Sequence, residues 1–311
     1  MNYKVFIVVV TWKGMKWIEK CLTSIQASKY PVSTIVIDNN SPDETPDYIE
    51  KNFEDVILVR SDKNFGFGQA NNLGMKMALE RGADYCFLLN QDAYLFPDTI
   101  EKLLKVANSC DYGIIAPVHL NGDGSRVDLY FRDFVMAKSP LYLENSILRG
   151  NQTVFESPFI PAAGWLLPKK TMMEIGGFDP LFFHYGEDDN YCLRCQYHHR
   201  SIVFTTDTFI LHDRENTVGN QMMYNRKLAF RHIVQDCADI TQNVGEIIQR
   251  QGRQFYDEIG LWIMYLLTGR WKMMHNFIGD YMKIMTMIPD IKKSRTLNKM
   301  IGCNWIYKFV R

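Results

Sequence analysis

The sequence has no net charge, because 35 lysines and arginines balance 35 aspartates and glutamates over 311 residues. Without a global positive field the chain has no general attraction to nucleic acid, so we expect no nucleic-acid partner. Its apolar content of 47% and charged content of 23% exclude a disordered, collagen-like or disulfide-stapled chain. The charge is nevertheless uneven, since residues 290–311 carry six lysines or arginines and one aspartate.

Cysteine motifs and long apolar runs are also scarce. The one close pair, Cys192-x-x-Cys195, has no second pair to complete a zinc site, so the seven cysteines fit unpaired thiols in a reducing compartment. The first apolar run is too short for a signal peptide. The longest later one, 259–267, is about half of what a bilayer crossing requires. The sequence therefore predicts a cytoplasmic protein.

What the chain does contain, over its first two thirds, is an alternation of strand and helix signals. Val5–Thr11 is a continuous, largely β-branched run, as in a strand that is buried on both faces. Further strands are predicted at 34–37, 56–59, 85–89, 114–116, 164–167 and 202–205, and helices at 15–28, 44–52, 69–80, 97–108, from about 170 and from about 187. Strands separated by helices predict an α/β fold with a mostly parallel central sheet flanked by helices.

Two segments depart from this alternation. Residues 118–160 hold the turn sequence NGDG at 121–124 and many aromatics without a helical period, which predicts a hairpin and loop insertion. After residue 217 the strand signals disappear, and helices are expected near 222–249, 254–268, 271–288 and 296–308. We therefore expect an α/β domain at 1–216 and a helical region at 217–311.

Polar residues follow three of the predicted strands. Thr11 ends the first strand, the run DNN at 38–40 ends the second, and the run NQD at 90–92 ends the fourth. Ligands of open parallel sheets bind outside the carboxyl ends of the strands. Turn capping explains one such group, whereas three together favour a ligand site.

A glycine-rich segment, KNFGFGQANN at 63–72, invites comparison with the dinucleotide-binding fingerprint. It reads G-x-G-x-x-N, lacks the third glycine and does not follow the first strand, which argues against a dehydrogenase. A glycine-rich turn before a helix still suits phosphate or sugar contacts through backbone N–H groups.

Three successive carboxylates, Glu187, Asp188 and Asp189, open a predicted helix. The helix dipole explains part of this placement, yet their crowding should raise the proton affinity of at least one, which suits a general base. His212 follows the predicted strand 202–205 and is a candidate partner of Asp92 on a hard cation such as Mn²⁺ or Mg²⁺. The alternative is a purely structural histidine.

These motifs resemble those of bacterial family-2 glycosyltransferases with the A-type nucleotide-diphospho-sugar transferase fold, and especially the rhamnosyltransferase-like branch. The matching segments stand in family order within residues 1–215. They are VVVTW at 8–12, IVIDNNSPD at 35–43, KNFGFGQANNLG at 63–74, LLNQDAYLFP at 88–97, AAGWLLPK at 162–169 and IGGFDPLFFHYGEDDNYCLR at 175–194, followed by His212.

The resemblance implies a donor site. Residues expected on the nucleobase, ribose or donor sugar are Thr11, Asp38, Asn40, Asn64 and Asn71. Asp92 corresponds to the last acid of the family's metal-binding Asp-x-Asp triplet, whose first two positions are here Asn90 and Gln91. A divalent cation, Mn²⁺ or Mg²⁺, would be held by Asp92 and His212.

The resemblance also implies an acceptor side. Asp188 corresponds to the catalytic base, with Glu187 as the substitute candidate, and Asn190 stands where the family has a further acid. The expected walls of the sugar pocket are Gly164, Trp165, Phe183 and Tyr185.

The implied function is an inverting transfer of a sugar from a nucleotide-diphosphate donor, with dTDP-rhamnose favoured, to a hydroxyl of a cell-surface polysaccharide precursor. One alternative is a non-catalytic glycan-binding or scaffold protein of the same fold. A sugar-phosphate nucleotidyltransferase is disfavoured, because that class resembles a glycine-rich, arginine-containing loop after the first strand, which TWKGM at 11–15 does not match.

The helices after residue 217 have two interpretations. Their apolar residues, with Lys292, Lys293, Arg295 and Lys299, fit a peripheral attachment to the anionic inner face of the membrane, where a lipid-linked glycan acceptor would be found. A helical subdomain that packs on the catalytic core or forms a homo-oligomer interface is the other interpretation.

Overall fold

The computed structural model describes residues 2–139, 142, 144, 150, 152–214, 221–247, 249–250, 253, 264, 267–268 and 271–307. The chain divides into two compact units, one formed by residues 1–216 with 301–311 and the other by residues 217–300. The sequence analysis placed all of 217–311 in one region. The structure instead groups the last segment with the α/β unit, since Ile306 is fully buried in that unit's core.

Within the described residues, a nine-stranded sheet forms the centre of the α/β unit. Its strands are β1 (Val5–Thr11), β2 (Val32–Asp38), β3 (Ile57–Arg60), β4 (Tyr85–Asn90), β5 (Ala93–Leu95), β6 (Ile114–Asn121), β7 (Val154–Glu156), β8 (Gly164–Pro168) and β9 (Ile202–His212). The order across the sheet is β3-β2-β1-β4-β8-β6-β9-β5, and β7 also pairs with β9. The first four strands in this order are mutually parallel, as are β6 and β9, which confirms the mostly parallel sheet.

The helices of the α/β unit pack on both faces of this sheet. They are α1 (Ile18–Gln26), α2 (Thr45–Asn52), α3 (Phe67–Glu80), α4 (Thr99–Ala107), α5 (Leu129–Phe134), α6 (Lys169–Glu174) and α7 (Glu187–Tyr197). Strand β1 shows why its apolar run is continuous. Phe6 and Val8 lie in the core shared with α3 and α7, whereas Ile7 and Val9 lie in the core shared with α1, α2 and α4.

Three features of the α/β unit differ from the sequence predictions. Strand β8 runs antiparallel to its neighbours β4 and β6, so the sheet is mixed. The turn at 121–124 is closed by an antiparallel bridge between Leu120 and Val127, but helix α5 follows it instead of a second long hairpin strand. Strand β9 continues to His212, because its second half pairs with both β5 and β6. His212 is therefore a strand residue.

The helical unit contains α8 (Gln221–Ala238) and α9 (Trp271–Asn298). Helix α9 continues through Pro289, so the predicted break at 288 and the predicted helix at 296–308 are wrong. Beyond the proline, Arg295 donates to the carbonyls of Cys237 and Gln242 and ties α9 to the end of α8. The predicted helix 254–268 lies mostly outside the described residues. In the described part of the chain, every helix is too short or too polar to cross a membrane.

Helix α3 packs so closely on β1 that Gly74 has no room for a side chain. A Cβ atom at Gly74 would lie 2.3 Å from Cγ1 of Val8. Replacing a helical glycine by alanine normally stabilises a protein by about 1 kcal/mol, but overpacking a core costs roughly 1–3 kcal/mol. We therefore expect Gly74→Ala to lower the free energy of unfolding, as measured by urea denaturation. The double variant Val8→Ala/Gly74→Ala should lose less unfolding free energy than the sum of the losses of the two single variants. A gain in stability from Gly74→Ala alone would contradict the packing argument.

Candidate active site

The carboxyl ends of three parallel strands meet at one edge of the sheet. In the register of β1, Thr11 lies opposite Asp38 of β2, and Val10 lies opposite Asn90 of β4. Side chains that are far apart in the chain are thereby brought together at the edge where open α/β sheets bind ligands.

 Asp38 lies 27 residues after Thr11, and Asn90 lies 52 residues after Asp38, so this meeting is a product of the fold.

Gln91 holds the end of β1 in place. Its side-chain oxygen accepts from the Thr11 hydroxyl (2.7 Å) and from the Trp12 N–H (3.0 Å), and its amide nitrogen donates to the Trp12 carbonyl (3.2 Å). Position 14, in the turn after β1, has room only for glycine, because a Cβ there would lie 2.2 Å from the Thr11 hydroxyl oxygen. Gln91, predicted to bind the donor, thus uses its amide to brace β1 against β4. The exposed Trp12 beside it was not among the predicted site residues.

Two buried oxygen atoms at this edge lack a protein partner among the described residues. Oδ2 of Asp38 accepts from the Ser41 N–H (3.1 Å), whereas Oδ1 of Asp38 and Oδ1 of Asn90 are unpaired. Buried polar atoms are nearly always hydrogen-bonded, and leaving one unpaired destabilises the fold. These two unpaired acceptors mark this edge of the sheet as a candidate ligand site.

Asn39 fixes the glycine-rich loop beside them. Its amide nitrogen donates to Oδ1 of Asn64 (3.0 Å), and its side-chain oxygen accepts from the Phe65 N–H (2.8 Å). Asn64 in turn accepts from the Gly66 N–H (2.8 Å). Asn39 was not predicted as a site residue, although it stands in the DNN run. Asn40 next to it is exposed and has a φ of +61°.

Two asparagines of α3 have structural partners. Asn71 is buried and donates to the Phe67 carbonyl one turn earlier (3.0 Å), so one of its two N–H groups is already used. Asn72 donates to the Phe178 carbonyl (2.8 Å) and accepts from the Phe178 N–H (2.7 Å). This pair of hydrogen bonds joins α3 to the loop that leads into α7.

The first turn of α7 carries the predicted base to the same edge. Gly186, with a φ of +94°, precedes the helix, and Glu187 and Asp188 are its first residues. The Ala162 N–H donates to the Asp188 carboxylate, and the carbonyl of the next residue, Ala163, accepts from the Asn90 N–H (3.1 Å). The backbone of residues 162–163 thus links the Asp188 carboxylate to the end of β4.

The glycine-rich loop closes the other side of α7. A Cβ at Gly66 would lie 2.1 Å from the Phe183 carbonyl oxygen, and one at Gly68 would lie 3.5 Å from Cβ of Glu187. The contacts therefore form a closed circuit that runs from β4 through α7 and the glycine-rich loop to β2, β1 and back to β4. Donor-side and base candidates line a single site.

The carboxyl of Asp188 has an unusual proton affinity. Its withdrawal from solvent, and then the adjacent charge of Asp189, raise the pKa of Asp188 to about 7, against the lowering effect of backbone N–H groups that include that of Ala162. A carboxyl with a pKa near neutrality exists in both protonation states at physiological pH, so it can accept and release a proton.

Asn190 faces away from this site. Its side-chain oxygen accepts from Nε of Arg194 (3.1 Å), a fully buried cation that also donates to the carbonyls of Ile175 and Gly177 (2.9 and 2.5 Å). The position at which the family has a further acid is thus occupied here by a partner of a buried arginine. Arg194 fixes the loop before α7, and the sequence analysis did not identify it.

The aromatic residues divide into two groups. Phe183 and Tyr185 are 59% and 58% exposed just before α7, where they are available to wall a sugar pocket. Trp165 is fully buried and stacks on Phe178, with ring centroids 5.8 Å apart, so the prediction that it lines the pocket is corrected. Gly164 is also buried and packs against Ile210. The two residues point to opposite faces of β8, and both are buried because each face of the sheet is covered by a core.

Asp92 and His212 are brought together, as the sequence predicts. Ala93 pairs with His212 across β5 and β9, and Nε2 of His212 lies 3.5 Å from Oδ1 of Asp92. On the other side of the ring, Nδ1 accepts from Nε of Arg214 (3.1 Å). Because the guanidinium can only donate, the proton of a neutral His212 ring must be on Nε2, which faces Asp92.

This arrangement does not fit the predicted cation site. A histidine that binds a metal through Nε2 needs a lone pair there and a hydrogen-bond acceptor at Nδ1, whereas Arg214 imposes the reverse. In the described part of the chain no group of three or more His, Cys, Asp or Glu side chains is placed to hold a metal ion. The predicted pair of ligands is present, but Nδ1 of His212 accepts a hydrogen bond where a metal-binding histidine would donate one.

Comparison with solved structures identifies the class of fold. The chain superposes on TarS of S. aureus in complex with UDP-GlcNAc with a TM-score of 0.55 at 15% identity, over 79% of this chain and 70% of that chain. It superposes on GalNAc-T7 with UDP, GalNAc and Mn²⁺ with a TM-score of 0.56 at 15% identity, over 84% of this chain and 58% of that chain. The fold is therefore that of the A-type glycosyltransferases.

The sequence comparisons give the family. The sequence model described as Glycosyl transferase family 2 matches residues 6–174, and the chain belongs to that family. It is 26% identical over 196 residues to the dTDP-rhamnosyl transferase RfbF of Shigella flexneri, which covers 63% of this chain and 64% of that protein. It is 26% identical over 248 residues to the N-acetylglucosaminyl-diphospho-decaprenol L-rhamnosyltransferase of Mycobacterium tuberculosis, which covers 68% of this chain and 77% of that protein. The chain thus aligns with slightly less than two thirds of the Shigella protein.

The raised pKa of Asp188 has a consequence for stability. Between its ordinary pKa of 3.8 and about 7, the folded state holds a proton that the unfolded state has released, so stability falls as the pH rises through this window. Asp188→Asn removes that effect. The variant's gain in melting temperature should be small at pH 4, grow to about pH 7 and then stay constant.

The surface carboxyl of Asp111 provides a control of opposite sign. Hydrogen bonds from Lys170 and Arg200 lower the pKa of Asp111, so Asp111→Asn should lower the melting temperature at pH 7 rather than raise it. Equal melting-temperature changes for Asp188→Asn at pH 4 and pH 8 would contradict the assigned pKa.

Proposed function

We propose that this chain transfers a sugar, with inversion at the anomeric carbon, from a nucleoside-diphosphate donor to a hydroxyl of a polysaccharide precursor. One observation carries the proposal. A carboxyl with a pKa of about 7, that of Asp188, lies at the same sheet edge as the unpaired buried oxygens of Asp38 and Asn90. The family and the names of two relatives support glycosyl transfer as the reaction that uses this base and this polar edge.

The donor would bind across the ends of β1, β2 and β4. Asp38 Oδ1 suits the N–H of a pyrimidine base or a ribose hydroxyl, because it is an acceptor with no partner among the described residues. The exposed Trp12 offers a ring face to the base. Asn40 and the Asn64 loop would border the ribose and the sugar. We propose dTDP-rhamnose as the donor, because two relatives bear rhamnosyl transferase names.

Asp188 would act as the general base. In its ionised form it would take the proton of the acceptor hydroxyl while that oxygen attacks the anomeric carbon from the face opposite the diphosphate. The bond between the anomeric carbon and the diphosphate oxygen breaks, and its electron pair leaves with the nucleoside diphosphate. Phe183 and Tyr185 would border the acceptor, since they stand exposed in the segment just before α7.

The negative charge on the departing diphosphate needs a positive partner. The sequence-based candidate is a divalent cation at Asp92 and His212, and the solved GalNAc-T7 structure contains Mn²⁺. The hydrogen-bond arrangement around His212 does not fit that role.

The base assignment is tested by kinetics. Asp188→Asn should lower kcat by about 10²-fold or more, because general-base catalysis contributes roughly 10²–10⁴-fold, while donor binding by calorimetry stays within about threefold, as expected for a group that acts in the transition state. In the wild type, kcat/KM should fall about tenfold per pH unit below pH 7, as the ionised fraction of a single base falls.

The neighbouring residue supplies a matched control. Asp189→Asn makes the same change one position later and removes a charge that raises the pKa of Asp188. It should keep turnover and move the acidic limb of the pH profile to lower pH. If Asp188→Asn retained a third of wild-type turnover, Glu187 would become the candidate base.

A non-catalytic glycan-binding or scaffold role is the second candidate function, and a sugar-phosphate nucleotidyltransferase is the third. Release of nucleoside diphosphate from a nucleotide sugar in the presence of acceptor supports transfer. Release of pyrophosphate from a nucleoside triphosphate would support the nucleotidyltransferase. The raised pKa of Asp188 favours the enzyme, because a binding surface gains nothing from a carboxyl that is half protonated at pH 7.

We further propose that the helical unit attaches the chain peripherally to the anionic cytoplasmic face of a membrane that carries a lipid-linked acceptor. On α9, Met282, Met285 and Lys292 recur at three- and seven-residue spacing and are exposed, which places them on one side of the helix. Lys293 and Lys299 are also exposed. Arg295, included in this surface by the sequence analysis, is buried and holds α8 instead.

Vesicle co-sedimentation tests the membrane proposal. Each basic residue near an anionic surface contributes about 1 kcal/mol, so the triple variant Lys292→Gln/Lys293→Gln/Lys299→Gln should lose most binding to phosphatidylserine vesicles, and high salt should weaken the wild type. The control Lys29→Gln/Lys51→Gln/Lys105→Gln removes three exposed lysines of the α/β unit and should bind as the wild type. Equal pelleting with neutral vesicles, or none, would favour the homo-oligomer interface.

A further inference from the structure

An arginine that the sequence analysis did not identify stands beside the Asp92–His212 pair. Strand β9 ends at His212, and the Asp213 N–H donates to the Asp92 carbonyl (2.8 Å), so Arg214 leaves the sheet next to the end of β4. Its side chain is 36% exposed, so part of it remains open to solvent. Arg214 is therefore a fixed positive charge at the edge where the donor would bind.

Three neighbours hold the Arg214 guanidinium in place. Its Nε donates to Nδ1 of His212 (3.1 Å), and the same nitrogen lies 3.5 Å from Oδ2 of Asp128. The guanidinium also lies 5.0 Å from the ring centroid of Tyr130. Asp128 is itself fixed, because its other oxygen accepts from the Phe131 N–H (2.9 Å) as the cap of α5. A guanidinium held in this way loses little conformational entropy when it binds an anion.

The same hydrogen bond determines what His212 can do. With Arg214 donating to Nδ1, the ring presents its proton at Nε2 to Asp92 rather than a lone pair to a cation. Gln91, the middle residue of the triplet, has its side-chain oxygen occupied by Thr11 and Trp12. Gln91, Asp92 and His212 are thus engaged with one another or with the end of β1.

We infer that Arg214 is a catalytic residue that, in place of a divalent cation at Asp92 and His212, binds the donor's diphosphate and neutralises the charge that develops on it. This inference rests on the proposed function. As the bond between the anomeric carbon and the diphosphate oxygen breaks, the electron pair passes to the diphosphate, and N–H groups of Arg214 donate to its oxygens. A planar guanidinium suits this task because it can donate two parallel hydrogen bonds to phosphate oxygens.

Binding of the product-like ligands UDP and dTDP tests the inference without an activity assay. With a metal chelator present, the wild type should bind UDP or dTDP. Replacing the chelator by Mn²⁺ should change the Kd for that ligand less than threefold. Arg214→Gln should weaken that binding at least tenfold, since it removes a charged donor, and Arg214→Lys should fall between the two. The matched control Arg132→Gln removes an exposed arginine of α5 that pairs with Asp133, and should bind as the wild type.

Two further measurements separate a contact with the diphosphate from a structural role. The parent nucleoside, which lacks phosphates, should bind wild type and Arg214→Gln equally, and the two proteins should have melting temperatures within a few degrees. A loss of nucleoside affinity equal to the loss of diphosphate affinity would overturn the inference. So would a strict requirement for Mn²⁺ in the wild type. If no form of the protein bound UDP, dTDP or a nucleotide sugar under any condition, the proposed function itself would fail.

Discussion

The site depends on one stretch of backbone, residues 162–163, that joins the sheet to helix α7. The Ala163 carbonyl accepts from the N–H of Asn90 at the end of β4, and the Ala162 N–H donates to the carboxylate of Asp188. A polar strand end and a carboxylate nearly 100 residues apart in the chain are thereby placed on either side of a single peptide unit. Strand β8 follows directly after residue 163 and runs antiparallel between β4 and β6. The direction of that strand is part of the construction of the site.

The electrostatics of Asp188 result from two opposed effects. A helix N-terminus and backbone N–H donors favour the ionised carboxylate, and they act on Asp188 at the start of α7. Removal from solvent and the adjacent Asp189 favour the neutral form, and these effects are larger because they raise the pKa to about 7. The folded state is therefore less stable at neutral pH than an uncharged residue would make it, a pattern found at functional sites. The donors on the helix keep the shift within a range in which the carboxyl still ionises at pH 7.

Side-chain amides and one arginine hold the loops around the candidate site in place. Gln91 braces β1, Asn39 holds the glycine-rich loop, and Asn72 joins α3 to the segment before α7. Arg194 supports that segment from inside the core. Each of these groups pairs with backbone N–H or carbonyl groups that the loops would otherwise leave unsatisfied. Loop positions are thus fixed by hydrogen bonds before a ligand arrives, so little ordering is required on binding.

The sequence by itself determined the alternation of strands and helices from β1 to β4, the span of β1, the start of α7 and the family, because periodicity, turn residues and short motifs are local properties. It also gave Asp188 as the candidate base and paired Asp92 with His212. Only the tertiary structure decided the direction of β8, the burial of Trp165 and the use of Gln91 as a brace. These outcomes depend on which residues meet across the sheet, and a local pattern carries no information on partners that are distant in the chain. The same reason hid the arginine beside His212, whose role arises from its position at the end of β9 rather than from any motif.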